Sequence, residues 1–129
     1  MANSKDVSLI LVDDEDIYRD LLSDFFMDEG YAVETFASGE KALERLQQNK
    51  FDCMVVDIRL PGIDGNQVVL DALKIDPQIQ VIIHTGSSDY TIPDGLKAMG
   101  IDESQLLFKP LTDMSRLTVQ VDKLLNRGK

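Results

Sequence analysis

Short apolar runs alternate with longer stretches in which apolar residues recur every three or four positions, from one end of the chain to the other. The runs are Leu9-Ile10-Leu11-Val12, Tyr31 to Phe36, Cys53-Met54-Val55-Val56, Val81-Ile82-Ile83 and Leu106-Leu107-Phe108. Most are continuous, the pattern of parallel strands covered on both faces; only Tyr31 to Phe36 alternates clearly. Between the runs, Ile17, Leu21, Leu22, Phe25 and Phe26, then Ala42, Leu43 and Leu46, then Val68, Val69, Ala72 and Leu73 have helical spacing. Met114, Leu117, Val121, Leu124 and Leu125 mark a last helix. Gly30 stands where the first helix should stop, and Ser38 and Thr112 where helices should be capped. Pro93 is favoured in a first turn and disfavoured beyond it, which predicts a short fourth helix from Pro93 to Met99 behind an irregular Gly86 to Ile92 loop. Five βα repeats of this kind predict a single α/β domain over residues 1–129, with a core from about 7 to 126 and frayed ends at 1–6 and 127–129.

At 129 residues the chain can bury one core but not two. Hydrophobic residues at 43% and charged residues at 28% are those of a globular protein, and no run approaches the length of a membrane span. Lysine and arginine number 13 against 23 acidic residues, a net charge of −10. That sign is wrong for neutralising phosphates, so direct binding to DNA or RNA is not expected. Cys53 has no second cysteine to pair with, and Met1-Ala2-Asn3-Ser4-Lys5-Asp6 lacks the apolar core of a signal peptide. Both observations point to the cytoplasm.

Ligands of open α/β sheets bind beyond the carboxyl ends of the strands, so the residue that ends each run matters most. The first run leads into Asp13-Asp14-Glu15-Asp16, the third into Asp57, the fourth into Thr85 and the fifth into Lys109-Pro110. Each has an ordinary structural explanation when taken alone: acidic residues favour the start of the next helix, an Asp makes a turn, a Thr a cap, and a Lys a solvated charge. Together at neighbouring strand ends they describe chemistry. Asp13, Asp14 and Asp57 would repel one another unless a cation compensated them. An oxygen-only donor set without a Cys or His cluster suits Mg²⁺ better than Zn²⁺. With Lys109 as a mobile point charge, Thr85 as a hydroxyl donor and Asp57 as nucleophile, the set is that of phosphoryl transfer. No glycine-rich phosphate loop is present, so the phosphoryl donor must bring its own binding energy.

Four motifs carry a resemblance that spans nearly the whole chain: Val12-Asp13-Asp14-Glu15, Asp57-Ile58-Arg59-Leu60-Pro61-Gly62-Ile63-Asp64-Gly65, Thr85-Gly86 and Lys109-Pro110. In these the chain resembles the CheY-like receiver domain of two-component response regulators. The resemblance implies a flavodoxin-like, doubly wound (βα)5 three-layer sandwich with a five-stranded parallel sheet in the order 2-1-3-4-5. It makes Asp57 the phosphoacceptor, with Asp13, Asp14, Asp57 and the Arg59 backbone carbonyl as Mg²⁺ ligands. Thr85 and Lys109 would bind the phosphoryl group, and Pro110 would follow a cis peptide that aims Lys109. Arg59 and Ser87, two positions beyond Asp57 and Thr85, would tune hydrolysis of the aspartyl phosphate. The implied donor is the phosphohistidine of a histidine kinase or histidine phosphotransfer protein. The implied product is a signalling state passed to a downstream protein or fused output domain, rather than turnover of a substrate.

Departures from the family pattern set further expectations. Leu106 occupies the position, three before the lysine, where the family carries a Tyr or Phe whose rotamer reports phosphorylation. The Ile101 to Gln105 loop looks about two residues longer than usual, and Pro93 shortens the fourth helix. The face formed by the fourth helix, fifth strand and last helix is therefore expected to be remodelled, and the Gly86 to Ile92 loop to rearrange in place of an aromatic switch. His84 is expected to be packed and hydrogen-bonded, and Cys53 to act as a small buried hydrophobe. Three alternatives stand beside the receiver. A haloacid-dehalogenase-type phosphohydrolase would find its Asp-x-Asp motif in Asp14-Glu15-Asp16. A degenerate receiver would serve as a constitutive binding module, and a flavodoxin-like cofactor binder would meet four acidic residues where its phosphate should lie. A stand-alone receiver is expected, although Lys109 to Leu117 resembles receivers that continue into output domains.

Overall fold

The computed structural model describes residues 7–110 and 113–127. The order of elements is β1 (Ser8–Val12), α1 (Asp16–Asp28), β2 (Ala32–Phe36), α2 (Gly39–Gln48), β3 (Cys53–Val56), α3 (Gly65–Ile75), β4 (Gln80–Thr85), α4 (Asp94–Lys97), β5 (Leu106–Phe108) and α5 (Ser115–Arg127). All strand pairings are parallel, and the sheet runs β2-β1-β3-β4-β5, the doubly wound order that the resemblance implies.

Successive side chains of a strand point to opposite faces, so the apolar runs supply two cores at once. Ile10, Val12, Met54, Val56, Val81 and Ile83 pack with Val68, Val69, Ala72 and Leu96, beneath α2, α3 and α4. Leu9, Leu11, Cys53, Val55 and Ile82 pack with Leu22, Phe26, Leu117 and Val121, beneath α1 and α5. Leu106 joins the first core and Leu107 the second, in keeping with the same alternation. Edge strand β2 is partly open, and its Glu34 accepts two bonds from the Arg45 guanidinium of α2 at 2.8 and 3.0 Å.

Local chemistry fixes the ends of the elements. Ser38 caps α2 by accepting from the Lys41 N–H, and Asp64 caps α3 by accepting from the Gln67 N–H at 3.0 Å. Gly30 follows α1 with φ of 94°, a left-handed conformation that favours glycine. Pro93 immediately precedes α4, which is a single turn over Asp94–Lys97. The predicted cap Thr112 lies outside the described residues.

Two local features depart from the periodicity. Ile17 and Leu21 have helical spacing yet are 79% and 50% exposed. They sit one residue before the row Tyr18, Leu22 and Phe26, and one residue is about 100° of rotation around a helix, so they face away from the sheet. Residues 103–105 form a 3₁₀ turn capped by Asp102, and the buried Gln105 amide donates to the Val81 carbonyl at 2.9 Å. Nothing in the apolar pattern marks that turn, because a side-chain amide closes it.

Candidate functional site

Parallel strands deliver their last residues to one edge of the sheet. Asp13 follows β1 and Asp57 follows β3; each is held by a backbone bond to the neighbouring strand, from Asp13 N–H to the Phe36 carbonyl and from Asp57 N–H to the Val12 carbonyl. Thr85 ends β4, and its carbonyl accepts from the Lys109 N–H at 2.8 Å. The Lys109-Pro110 peptide is cis, as expected from the resemblance.

Lys109 gathers the site. Its ammonium donates to Asp13 Oδ2 at 2.8 Å, to Glu15 Oε1 at 3.1 Å and to Asp57 Oδ2 at 3.1 Å. The Lys109 side chain is 4% exposed, and those of Asp13 and Asp57 are 6% and 5% exposed. An ammonium offers three donors, and three carboxylates take them. Burial works against charge on Lys109, but these carboxylates outweigh it and hold its pKa above the usual lysine value. Burial raises the Asp13 carboxyl above the usual range, against the lowering effect of Lys109.

The remaining lone pairs are only partly used. Asp13 Oδ1 accepts from the Glu15 N–H at 2.9 Å and Asp57 Oδ1 from the Arg59 N–H at 3.2 Å. Asp13, Asp14, Glu15 and Asp57 can each aim an oxygen so that all four lie within 4.8 Å of one another. Four carboxylates at that spacing carry more negative charge than one ammonium balances. A hard divalent cation with oxygen ligands fits the imbalance and the donor chemistry. Asp16 is outside this group and pairs with Arg19, whose guanidinium also donates to the Asp13 carbonyl at 2.7 Å.

The loop that follows Asp57 is shaped around a glycine. A Cβ on Gly65 would lie 2.3 Å from the Asp57 carbonyl oxygen and 2.5 Å from Ile58 Cα, so no larger residue lets α3 start this close to the acidic residue. Its N–H donates to the Ile58 carbonyl at 2.8 Å. Beyond β4 the Thr85 hydroxyl accepts from the Ser87 N–H at 3.1 Å, and the Tyr90 hydroxyl donates to Asn66 Oδ1 of α3 at 2.6 Å. The irregular Gly86 to Ile92 segment is thereby tied to the site at one end and to α3 near the other.

Of the predicted residues, Asp13, Asp57 and Lys109 are in direct contact, Asp14 joins the carboxylate cluster, and Thr85 adjoins through the Lys109 backbone. Arg59 is exposed and Ser87 half-buried at the rim. Pattern alone did not single out Glu15, whose carboxylate reaches Lys109, or Tyr18, whose ring centroid lies 4.1 Å from Lys109 Nζ. The row Tyr18, Leu22 and Phe26, spaced by four, was the available signal for Tyr18. His84 is packed as expected, 2% exposed, but among the described residues neither ring nitrogen has a hydrogen-bond partner. Burial and the nearby Lys109 charge push its pKa down to about 4. Cys53 is fully buried, and burial pushes its thiol up to about 12, which leaves it an inert hydrophobe.

Comparison with known proteins identifies the family. Residues 9–122 match the family of the response regulator receiver domain. The chain is 33% identical over 124 residues to the transcriptional regulatory protein GlrR of Escherichia coli, covering 96% of this chain and 27% of that protein. It is 32% identical to the sporulation initiation phosphotransferase F of Bacillus subtilis, covering 78% of each. A response regulator receiver protein from Sinorhizobium medicae superposes with a TM-score of 0.81 at 32% identity, covering 95% of this chain and 97% of that one. A CheY-like receiver domain from Methanospirillum hungatei has the same fold, with a TM-score of 0.85 at 24% identity over 95% of each chain. The chain belongs to the response regulator receiver domain family, a class of phosphorylation-activated signalling switches. It spans about a quarter of the length of GlrR and 57% of the FixJ protein of Bradyrhizobium diazoefficiens. Among the described residues no helix is long and apolar enough to cross a membrane.

Proposed function

We propose that Asp57 is the phosphoacceptor of this receiver, charged by the phosphohistidine of a histidine kinase or histidine phosphotransfer protein in the cytoplasm. The observation that carries this assignment is the sharing of one buried ammonium, that of Lys109, between Asp57 and Asp13 at the carboxyl edge of the sheet. A carboxylate oxygen of Asp57 attacks phosphorus; the P–O bond forms as the P–N bond breaks, and the donor imidazole nitrogen keeps the bonding pair. Asp13, Asp14, Asp57 and the Arg59 backbone carbonyl would hold Mg²⁺. When bound, the ion supplies neutralisation of the phosphoryl oxygens. Lys109 stands ready to follow the new charge, because its bond to Asp57 Oδ2 weakens when that carboxylate becomes an acyl phosphate. The Thr85 hydroxyl, now accepting from Ser87, can turn to donate to a phosphoryl oxygen.

The chain then turns over only its own phosphoryl group, and its output is a changed surface read by a downstream protein or a fused output domain. Loop residues 86–92 are the proposed relay, since Thr85 enters that loop and Tyr90 ties it to α3. Arg59 and Ser87 flank the phosphoryl position and would set its hydrolysis rate. Transfer from a phosphorylated histidine phosphotransfer protein tests the proposal: the label should move to this chain with Mg²⁺ present and be released by hydroxylamine, as an acyl phosphate is. A label that stays on the donor for every phosphohistidine protein and for small acyl phosphates would overturn it.

A further inference from the structure

Lys109 is enclosed by more than carboxylates. With its three donors directed at Asp13, Glu15 and Asp57, the ammonium also lies over the ring of Tyr18, 4.1 Å from the centroid. Tyr18 is half-buried on the row of α1 that faces the sheet. The His84 ring makes a T-shaped contact with it, with centroids 5.8 Å apart and an interplanar angle of 83°. The His84 ring is 2% exposed, so its place is set by packing. A T-shaped ring pair is a favoured aromatic geometry, so its contribution here is its shape against Tyr18.

We propose that Tyr18 is a positioning residue for phosphoryl transfer, holding the Lys109 ammonium against its ring face while the T-shaped contact with His84 steadies the ring. The inference rests on Asp57 being the phosphoacceptor. Its physical basis is the difference between two kinds of attraction. A hydrogen bond to a carboxylate is directional and is lost when that carboxylate is esterified, whereas a π face attracts a cation without fixing its direction. Lys109 can therefore swing from Asp57 towards the phosphoryl oxygens without leaving the ring. Once Asp57 is esterified and without the ring, Asp13 and Glu15 are left to hold the ammonium, and Glu15 is 55% exposed to water.

Two readouts on the full chain test this, with Tyr18→Leu as the disruptive variant and Tyr18→Phe as the conservative one. The first is the proton shift of the Lys109 ε-methylene, assigned by its disappearance in Lys109→Met. A ring face shields what lies above it, so the wild-type signal is expected upfield of the other lysines, to remain there in Tyr18→Phe and to return to their position in Tyr18→Leu. The second is the rate of phosphorylation by a small acyl phosphate with Mg²⁺, expected to fall about three- to tenfold in Tyr18→Leu and to recover in Tyr18→Phe. A Lys109 signal in the wild type at the ordinary lysine position overturns the inference whether or not Tyr18→Leu folds. So does a Tyr18→Leu rate equal to wild type, or a Tyr18→Phe rate as low as that of Tyr18→Leu. Failure of the phosphoacceptor assignment looks different: the wild type itself takes no phosphoryl group, while the Lys109 shift still reports on the ring.

Discussion

Lys109 sets the balance of charge at the site, because its single ammonium answers three carboxylates, two of them buried. Removing one member of a buried pair leaves the other uncompensated. Lys109→Met is therefore expected to lower stability in EDTA by about 3 kcal/mol, the low end for buried pairs, because Glu15 stays in water. Millimolar Mg²⁺ should restore part of that loss by filling the same charge deficit. Urea midpoints with and without Mg²⁺ check this, and a variant midpoint indifferent to the ion would contradict it. His84 gives a second residue-scale prediction. In the unfolded chain it protonates below its ordinary value of 6.5, while burial keeps it neutral in the fold down to about 4. Its contribution to stability is thus complete above pH 6.5 and lost progressively as pH falls towards 4. Wild type should lose about 2–3 kcal/mol more than His84→Phe between neutral pH and the lower end of that window, as unfolding at several pH values would show. Parallel pH curves for the two proteins would contradict the assignment. The isolated polar residues that end the strands were legible in the sequence, but the partners of His84 were not. Which neighbours a buried ring meets depends on packing between α1 and β4, and no local pattern encodes it.

Glycines and caps decide how the elements approach the site. At Gly65 an added methyl would meet the Asp57 carbonyl at 2.3 Å and backbone cannot move aside cheaply, whereas nothing lies within 4 Å of one at Gly95 in α4. Gly65→Ala should accordingly cost about 2–3 kcal/mol and displace Asp57, while Gly95→Ala should stabilise by about 0.5–1 kcal/mol. Thermal unfolding of the pair checks the contrast, and equal effects would contradict the close approach of α3. The 86–92 loop is held by the Tyr90 hydroxyl on Asn66. Tyr90→Phe should cost about 1 kcal/mol and speed hydrogen exchange across that loop, as a phosphoryl mimic should also do if the loop is the relay. Unchanged protection in both cases would remove the loop from the account. Element positions followed from the pattern because continuous apolar runs and turn residues mark strands and their ends locally. Orientation of α1 did not, since Ile17 and Leu21 repeat at the same spacing as the buried row but lie a residue before it. The capped turn at 103–105 escaped for a different reason: a buried amide, not an apolar side chain, anchors it.

Strand order is a property of the whole molecule, and the periodicity alone left it open; it came with the motifs shared with the receiver family. Those motifs are legible because each is tied to geometry: acidic residues after β1, a loop after Asp57 closed by Gly65, a hydroxyl ending β4 and a lysine before a cis proline. Glu15 and Tyr18 joined the site only in three dimensions, through a side chain that crosses from β5 to α1. The arrangement that results concentrates negative charge at one edge of a chain already carrying −10. A phosphoryl group entering there, as proposed, would need both a cation and Lys109 to offset its charge. The central claim is that Asp57 takes that group in a Mg²⁺-dependent reaction, and intact mass after incubation with Mg²⁺ and a small acyl phosphate tests it most directly. The account predicts one phosphoryl increment on the wild type, absent from Asp57→Asn and absent from wild type in EDTA. An increment that survives in Asp57→Asn, or that forms equally well in EDTA, would contradict it.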